Sequence, residues 1–326
     1  MKKARNKIYF DNQPRLPFEE WDEPAEYGLP AAEPRYVNEL AIGDEDTSLD
    51  KLHFISFGSG SSGNSCYIGT RSGGIVIDAG IRSDIIEDTL RNHGVDMRHV
   101  KGLLLTHDHS DHVRFSYNLL RNNRHLSMYC TPRVLNGLLK RHNISKRIKE
   151  YHTPIFKEIP FKIAGMEITA FEVPHDGSDN MGFSIEYGDR RFVLATDLGM
   201  VEDRARHYMS LANYLVIESN YDSEMLRTGR YPEYLKARIR ARNGHLDNRD
   251  TAAFLSEIAG PTLKYIFLCH LSKDNNTPEK ALTEVRGALL RKGYRVGQGN
   301  DTLEDKQCDL QLMALPRYDA TRWFVF

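Results

Sequence analysis

One run, Leu103-Leu104-Leu105-Thr106-His107-Asp108-His109-Ser110-Asp111-His112, constrains this chain more than any other stretch. Its three leucines read as the end of a buried strand. Three histidines and two aspartates follow at once. A core has no use for that density of imidazole and carboxylate, because every buried polar group needs a partner. In extended chain alternate residues share a face, so His107 and His109 can turn toward one metal ion. The chain must then bend for Asp111 and His112 to serve a second. Imidazole with carboxylate suits a borderline divalent ion such as zinc. A helix cap would account for Asp111 alone, and the run holds five such residues.

The 326 residues, 40 % of them hydrophobic, are enough for one large domain or two ordinary ones. No apolar run is long enough to span a bilayer. The basic start, Met1-Lys2-Lys3-Ala4-Arg5, leads into no apolar region and does not read as a secretory signal. Cys66, Cys130, Cys269 and Cys308 form no C-x-x-C, so disulfides and thiolate metal sites are not expected, and the cytoplasm is the expected location.

A formal net charge of −1 argues against a nucleic-acid partner until its distribution is considered. Residues 1–50 hold 6 Lys+Arg and 12 Asp+Glu, which leaves 38 and 33 for residues 51–326. An acidic extension thus masks a mildly basic domain. Val113 to Lys149 carries no acidic residue and includes Arg114, Arg133, Arg141 and Arg147. Leu226 to Arg249 adds Arg227, Arg230, Lys236, Arg238, Arg240 and Arg242. Such runs suit a polyanionic substrate, although a solvated helical face would read the same way.

Taken in order, residues 1–50 combine five prolines with many acids and no periodicity, which predicts a disordered extension. The domain is expected over 51–326. Leu52–Phe57 reads as a strand, and Gly58-Ser59-Gly60-Ser61-Ser62-Gly63-Asn64-Ser65 as a hairpin-type turn. A dinucleotide loop would need a helix next, and Cys66-Tyr67-Ile68 reads as another strand. Ile75–Ile77 is a strand ending at Asp78-Ala79-Gly80. Ile81–His93 has helical spacing and stops at Gly94. After the histidine run a helix is expected to about Asn123, then a strand over Ser127–Cys130 and a helix opened by Thr131-Pro132. Met166–Val173, Met181–Tyr187, Arg191–Ala195, Tyr214–Ile217 and Tyr265–Leu268 read as strands. Asp247–Ile258 and Pro278–Arg291 read as helices, with closing strands at Val296 and Leu310–Leu315. Asp78, His107, His175, Asp197, Glu218 and His270 each stand just past an apolar strand, where groups held on rigid elements can converge. Sheets flanked by helices in two similar halves imply a layered helix–sheet–sheet–helix sandwich.

The run His107-Asp108-His109-Ser110-Asp111-His112, followed in order by His175, Asp197 and His270 and preceded by Asp78, resembles the metallo-β-lactamase superfamily from about residue 52 to the end. Gly58 to Ser65, Val173 to Gly177, Glu218 to Asp222, Gly244 to Leu246 and Cys269 to Asn276 are similar to its YycJ/VicX-like nuclease branch. That branch usually has Ser-Asn after Gly-His-Leu, where this chain has Asp247-Asn248. The resemblance implies an α/β fold, a four-layer αββα metallo-β-lactamase sandwich in a single domain. It also implies two divalent ions, zinc or alternatively manganese. His107, His109 and His175 would hold the first, Asp111, His112 and His270 the second, and Asp197 would bridge at a separation of ~3.5–4 Å. Asp78 would orient a ligand. A hydroxide shared between the ions would be the nucleophile, with Asp111 aiming it.

Glu218 and His245 look similar to a pair that assists chemistry in the transfer-RNA 3′-processing branch. Their plainer reading is a loop acid and a helix-start residue. The implied activity is a dinuclear metal-dependent hydrolase, a phosphodiesterase or nuclease acting on DNA or RNA. The alternatives are a small-molecule ester or thioester hydrolase of glyoxalase type and a non-catalytic metal-binding regulatory protein. Asp197 and His270 are too close in sequence to enclose the extra domain of the β-CASP branch.

Overall fold

A computed structural model of the chain describes residues 51–326, so the extension expected over residues 1–50 lies outside the described residues. The first half contains β1 (His53–Gly58), β2 (Ser65–Thr70), β3 (Gly73–Ile77), α1 (Ser83–Asn92), β4 (Val100–Leu104), α2 (Ser110–Val113), α3 (Ser116–Asn122), β5 (Ser127–Cys130), α4 (Pro132–Arg141) and β6 (His152–Pro154). There follow β7 (Phe161–Ile163), β8 (Met166–Glu172), β9 (Met181–Tyr187), β10 (Arg190–Ala195), α5 (Asp203–Ser210), β11 (Tyr214–Glu218), α6 (Ser223–Thr228), α7 (Glu233–Ile239) and α8 (Asn248–Ile258). The chain ends with β12 (Tyr265–Cys269), α9 (Pro278–Arg291), β13 (Val296–Gly297), α10 (Leu303–Lys306), β14 (Leu310–Ala314) and β15 (Phe324–Val325).

One sheet runs β15-β1-β2-β3-β4-β5-β6, the other β13-β14-β12-β11-β10-β9-β8-β7. Their inner faces share a core. Phe54 of the first sheet meets Phe192 and Phe267 of the second, each ring 5.0 Å away. The outer face of the second sheet carries its own apolar layer, with Leu215, Ile217 and Ile266 packed against Leu255, Val285 and Leu289 of α8 and α9. This is the four-layer αββα sandwich that the strand pattern and the resemblance imply.

Local chemistry explains the element ends. Thr131 caps α4 by accepting from the Val134 amide at 3.3 Å, and Thr277 caps α9 by accepting from Lys280 at 3.2 Å, each with proline in the first turn. The glycine-rich stretch after β1 is a hairpin connection, since β1 and β2 pair antiparallel. The helix expected from the histidine run to Asn123 is two short ones, α2 and α3. The break falls where the Phe115 amide leaves the helical ladder for the Ala79 carbonyl at 2.8 Å. Helices α5, α6, α7 and α10 and strands β6, β7 and β15 were not expected. All are short, and several owe their existence to neighbours, as β15 does to pairing with β1.

Strand direction positions the site. β3, β4 and β5 are parallel, as are β10, β11 and β12. Parallel strands present their C-terminal ends on one side of a sheet. Ala195 lies opposite Ile217, and Glu218 opposite Cys269, so Asp197, Glu218 and His270 emerge side by side.

Candidate active site

Asp78, Asp197 and His270 all adopt positive φ, at 59°, 51° and 52°. Non-glycine residues rarely do so, and the strain is characteristic of functional positions. In each case the chain turns sharply off an apolar strand and aims a polar side chain into the space between the sheet ends. Gly80 lets the turn close: a Cβ there would sit 1.6 Å from the Asp111 carbonyl oxygen.

Ligand atoms of His107, His109 and His175 lie within 4.8 Å of one another, as do those of Asp111, His112 and His270. In the first group the His175 ring is fixed from behind. His175 Nδ1 donates to the Gly244 carbonyl at 2.9 Å, which leaves Nε2 bare, 3.2 Å from Nδ1 of His109. His107 Nε2 and His109 Nε2 are buried without a hydrogen-bond partner. In the second group His112 Nδ1 donates to Asp78 Oδ2 at 2.7 Å, and Asp78 is itself held by the Thr106 amide and hydroxyl, both at 2.8 Å. His270 Nε2 lies 3.3 Å from Asp111 Oδ2.

Asp197 stands between the groups. Its Oδ2 is 3.1 Å from His112 Nε2, and its Oδ1 is 3.7 Å from His175 Nε2 and 3.1 Å from His270 Nδ1. Buried imidazole nitrogens with no partner, converging on carboxylates, are what a divalent cation needs. The residues present therefore fit the ions that the histidine run implies.

The two groups differ electrostatically. Burial, reinforced by His112 and His109, holds His107 well below the usual imidazole range. Burial also lowers His109, and takes His175 to about 4 despite Asp197. The first trio is thus neutral, the form that binds metal. Burial opposes charge on His112 and His270 too, but Asp197 and the other carboxylates outweigh it. His112 rises well above its ordinary value and His270 to about 10. Burial alone would raise Asp111, yet His112 and His270 bring it to about 2.

Glu218 and His245 meet as expected, His245 Nδ1 donating to Glu218 Oε1 at 2.8 Å. The same oxygen accepts from His270 Nδ1 at 2.8 Å, so Glu218 supports two rings at once. Its other oxygen accepts from the Leu198 and Leu246 amides at 3.0 and 3.1 Å. Burial opposes charge on His245, and Glu218 outweighs it, so the imidazole pKa is raised. Asp247, where the branch usually has serine, caps α8 by accepting from the Arg249 amide and also accepts from the Ser223 hydroxyl.

Several residues given no role in the sequence reading belong to this region. Asn64, in the hairpin turn, donates to Asp111 Oδ2 at 3.1 Å. Asp108 is fully buried and ties the histidine run to the His175 loop by accepting from the Ser178 amide and hydroxyl, both at 2.8 Å. Asp176 Oδ1 lies 3.4 Å from His109 Nε2, while its Oδ2 accepts from Arg238 Nε at 2.8 Å. Its place directly after His175 was the only signal available. The two basic runs divide in a similar way. Arg141 and Arg238 reach Asp108 and Asp176 at the site's edge, whereas Arg147 and Arg227 pair locally with Glu150 and Glu224.

Residues 74–269 match the family model described as a beta-lactamase superfamily domain. The chain is 35 % identical over 248 residues to the exodeoxyribonuclease YycJ of Bacillus anthracis, covering 76 % of this chain and 92 % of that protein. It is 32 % identical over 240 residues to the exodeoxyribonuclease WalJ of Streptococcus pneumoniae serotype 2 (strain D39), covering 73 % and 88 %. The metallo-beta-lactamase fold protein YhfI of Bacillus subtilis has the same fold, with a TM-score of 0.59 at 12 % identity over 85 % of this chain and 100 % of that one. With its strand-end donor set and these matches together, the chain belongs to the beta-lactamase superfamily, in its YycJ-like branch, and is a metal-dependent hydrolase.

Proposed function

We propose that this chain is a dinuclear phosphodiesterase that degrades nucleic acid, with DNA as the favoured substrate. The observation that carries the reading is Asp197, whose Oδ2 stands 3.1 Å from His112 Nε2 and whose Oδ1 stands 3.7 Å from His175 Nε2, one ligand nitrogen of each group. His107, His109 and His175 would hold one ion and Asp111, His112 and His270 the other. Zinc suits these donors best, with manganese as the alternative. When bound, such ions supply Lewis acidity toward phosphoryl oxygens and bring a water's pKa toward neutrality. DNA is favoured because two relatives that align over most of their length are named exodeoxyribonucleases.

The chain's own groups then have separate tasks. Asp78, Gly244 and Glu218 hold His112, His175 and His270 by their Nδ1 protons and so present the opposite nitrogens to the ions. Asp111, kept ionised, accepts a hydrogen bond from the attacking water. His245 has Nδ1 engaged by Glu218, so its transferable proton is at Nε2, facing a leaving alkoxide. Its side chain is 21 % exposed, so substrate can reach it. Among the described residues no helix is long and apolar enough to cross a membrane. The four free cysteines accord with action in the cytoplasm.

The test is elemental analysis followed by incubation with labelled single- and double-stranded DNA and RNA. The reading expects close to two ions per chain and release of nucleotides from DNA. A loaded protein that spares every oligonucleotide and hydrolyses a glutathione thioester would replace it with the small-molecule reading.

A further inference from the structure

Most cations around this site already have a counter-charge. Arg238 is paired with Asp176 at 2.8 Å and Arg141 with Asp108 at 3.5 Å. Arg317, in the segment after β14, is different. Among the described residues no carboxylate lies within 4.0 Å of its guanidinium. Burial pulls its pKa down, and the anionic groups it senses include Asp274 and Asp111.

Its position is built. Nη2 donates to the carbonyl of Leu271, the residue after His270. Nη1 lies over Gly60, where a Cβ would come within 2.5 Å of it. The Ser59 amide next to Gly60 donates to the Pro316 carbonyl at 3.0 Å, and the Ser59 hydroxyl accepts from the His270 amide at 2.9 Å. Asn64 at the end of the same turn reaches Asp111. The guanidinium is therefore held against the glycine-rich turn, whose Asn64 bonds Asp111, and against the residue that follows His270.

A partly desolvated arginine with no paired anion is costly to keep, and an anion that arrives with a ligand offsets that cost. A guanidinium presents a planar fork matched to two oxygens of one phosphate. One of its arms is fixed to the Leu271 carbonyl, next to His270, and not to any metal-binding side chain, which sets it beside the ligand cluster and not within it. We propose that Arg317 binds a non-scissile phosphate of a polynucleotide, adjacent to the bond being cleaved, and so selects chains over small esters. The proposal rests on the nuclease reading above.

The experiment compares wild type with Arg317→Met and Arg317→Lys on a labelled single-stranded oligodeoxynucleotide and on bis(p-nitrophenyl) phosphate, with metal content and melting recorded. Arg317→Met should raise KM for the oligonucleotide about tenfold and reduce the slope of log KM against log salt by about one. Its kcat/KM on bis(p-nitrophenyl) phosphate should stay within about twofold and its metal content should not change. Lysine, keeping the charge, should restore the salt slope and part of the affinity. Equal losses on both substrates would mean that Arg317 only braces the loops, and would overturn the proposal.

A second measurement needs no folded variant. In wild type, a single neutral methylphosphonate stepped along the oligonucleotide should raise KM about tenfold at one position beside the cleaved bond. No such position would also overturn the proposal. A wild type that cleaves no oligonucleotide removes the nuclease reading and this inference together. A wild type that cleaves DNA, with Arg317→Met indistinguishable from it, removes this inference alone.

Discussion

Asp78 Oδ2 accepts the Nδ1 proton of His112 at 2.7 Å, and both side chains are buried. That one bond fixes the tautomer, so Nε2 of His112 faces Asp197 and Asp111. Asp78→Asn should fold but hold the second ion about 10–100-fold more weakly, the usual consequence of losing a ligand's supporting partner. Titration with a chromophoric chelator checks this. An unchanged affinity would reduce Asp78 to a strand-end brace.

Asp197→Ala removes the carboxylate nearest both groups. Metal content should fall from about two ions toward one or none, because two cations would then face each other with less compensation. Elemental analysis of the purified variant gives the answer. Retention of both ions would show that the bridge lies elsewhere.

Metal uptake should release protons. The metal-free His270 has a pKa raised to about 10, and His112 is also raised, so both rings carry a proton at neutral pH that an ion must displace. Affinity at the second group should therefore climb as pH rises from 6 to 8, by about tenfold per unit for each proton lost. Calorimetry in buffers of different ionisation enthalpy counts those protons. Affinity that is flat or falls over this range would contradict the charge pattern.

His245→Ala should keep both ions, because Glu218 still supports His270. Hydrolysis of an ordinary oligonucleotide should slow by about 10²–10⁴, the range for loss of a general acid. On bis(p-nitrophenyl) phosphate, whose leaving group needs little protonation, the loss should shrink. Parallel kinetics on the two substrates, with metal content alongside, decide the matter. Loss of metal would instead make His245 a ligand, for which its closeness to Asp197, Glu218 and His270 allows.

Residues 1–50, rich in acid and proline, should be dispensable to the hydrolase domain. A chain starting near residue 51 should melt close to the full-length protein and bind oligonucleotides at least as tightly, since 12 acidic residues against 6 basic ones are removed. Differential scanning calorimetry and a salt titration of binding test this. A truncated chain that does not fold would refute it.

The sequence alone determined the ligand-bearing run, the Asp78-Ala79-Gly80 turn and the rule that polar groups follow apolar strands. These features are local: a strand shows itself by its apolar residues, and the next residue inherits its direction. Most element boundaries were legible for the same reason, down to Ser127–Cys130 and Pro278–Arg291. What tertiary structure decided was sharing. Glu218 could be matched with His245 by motif, but its equal hold on His270 depends on β11 and β12 lying parallel and in register. Asn64 beside Asp111, Arg238 on Asp176 and Arg317 over Gly60 join loops far apart in the chain. Loops carry no hydrophobic period from which such closures can be read. Their partners are set by which strand ends the two sheets bring together, and that is a property of the packed core.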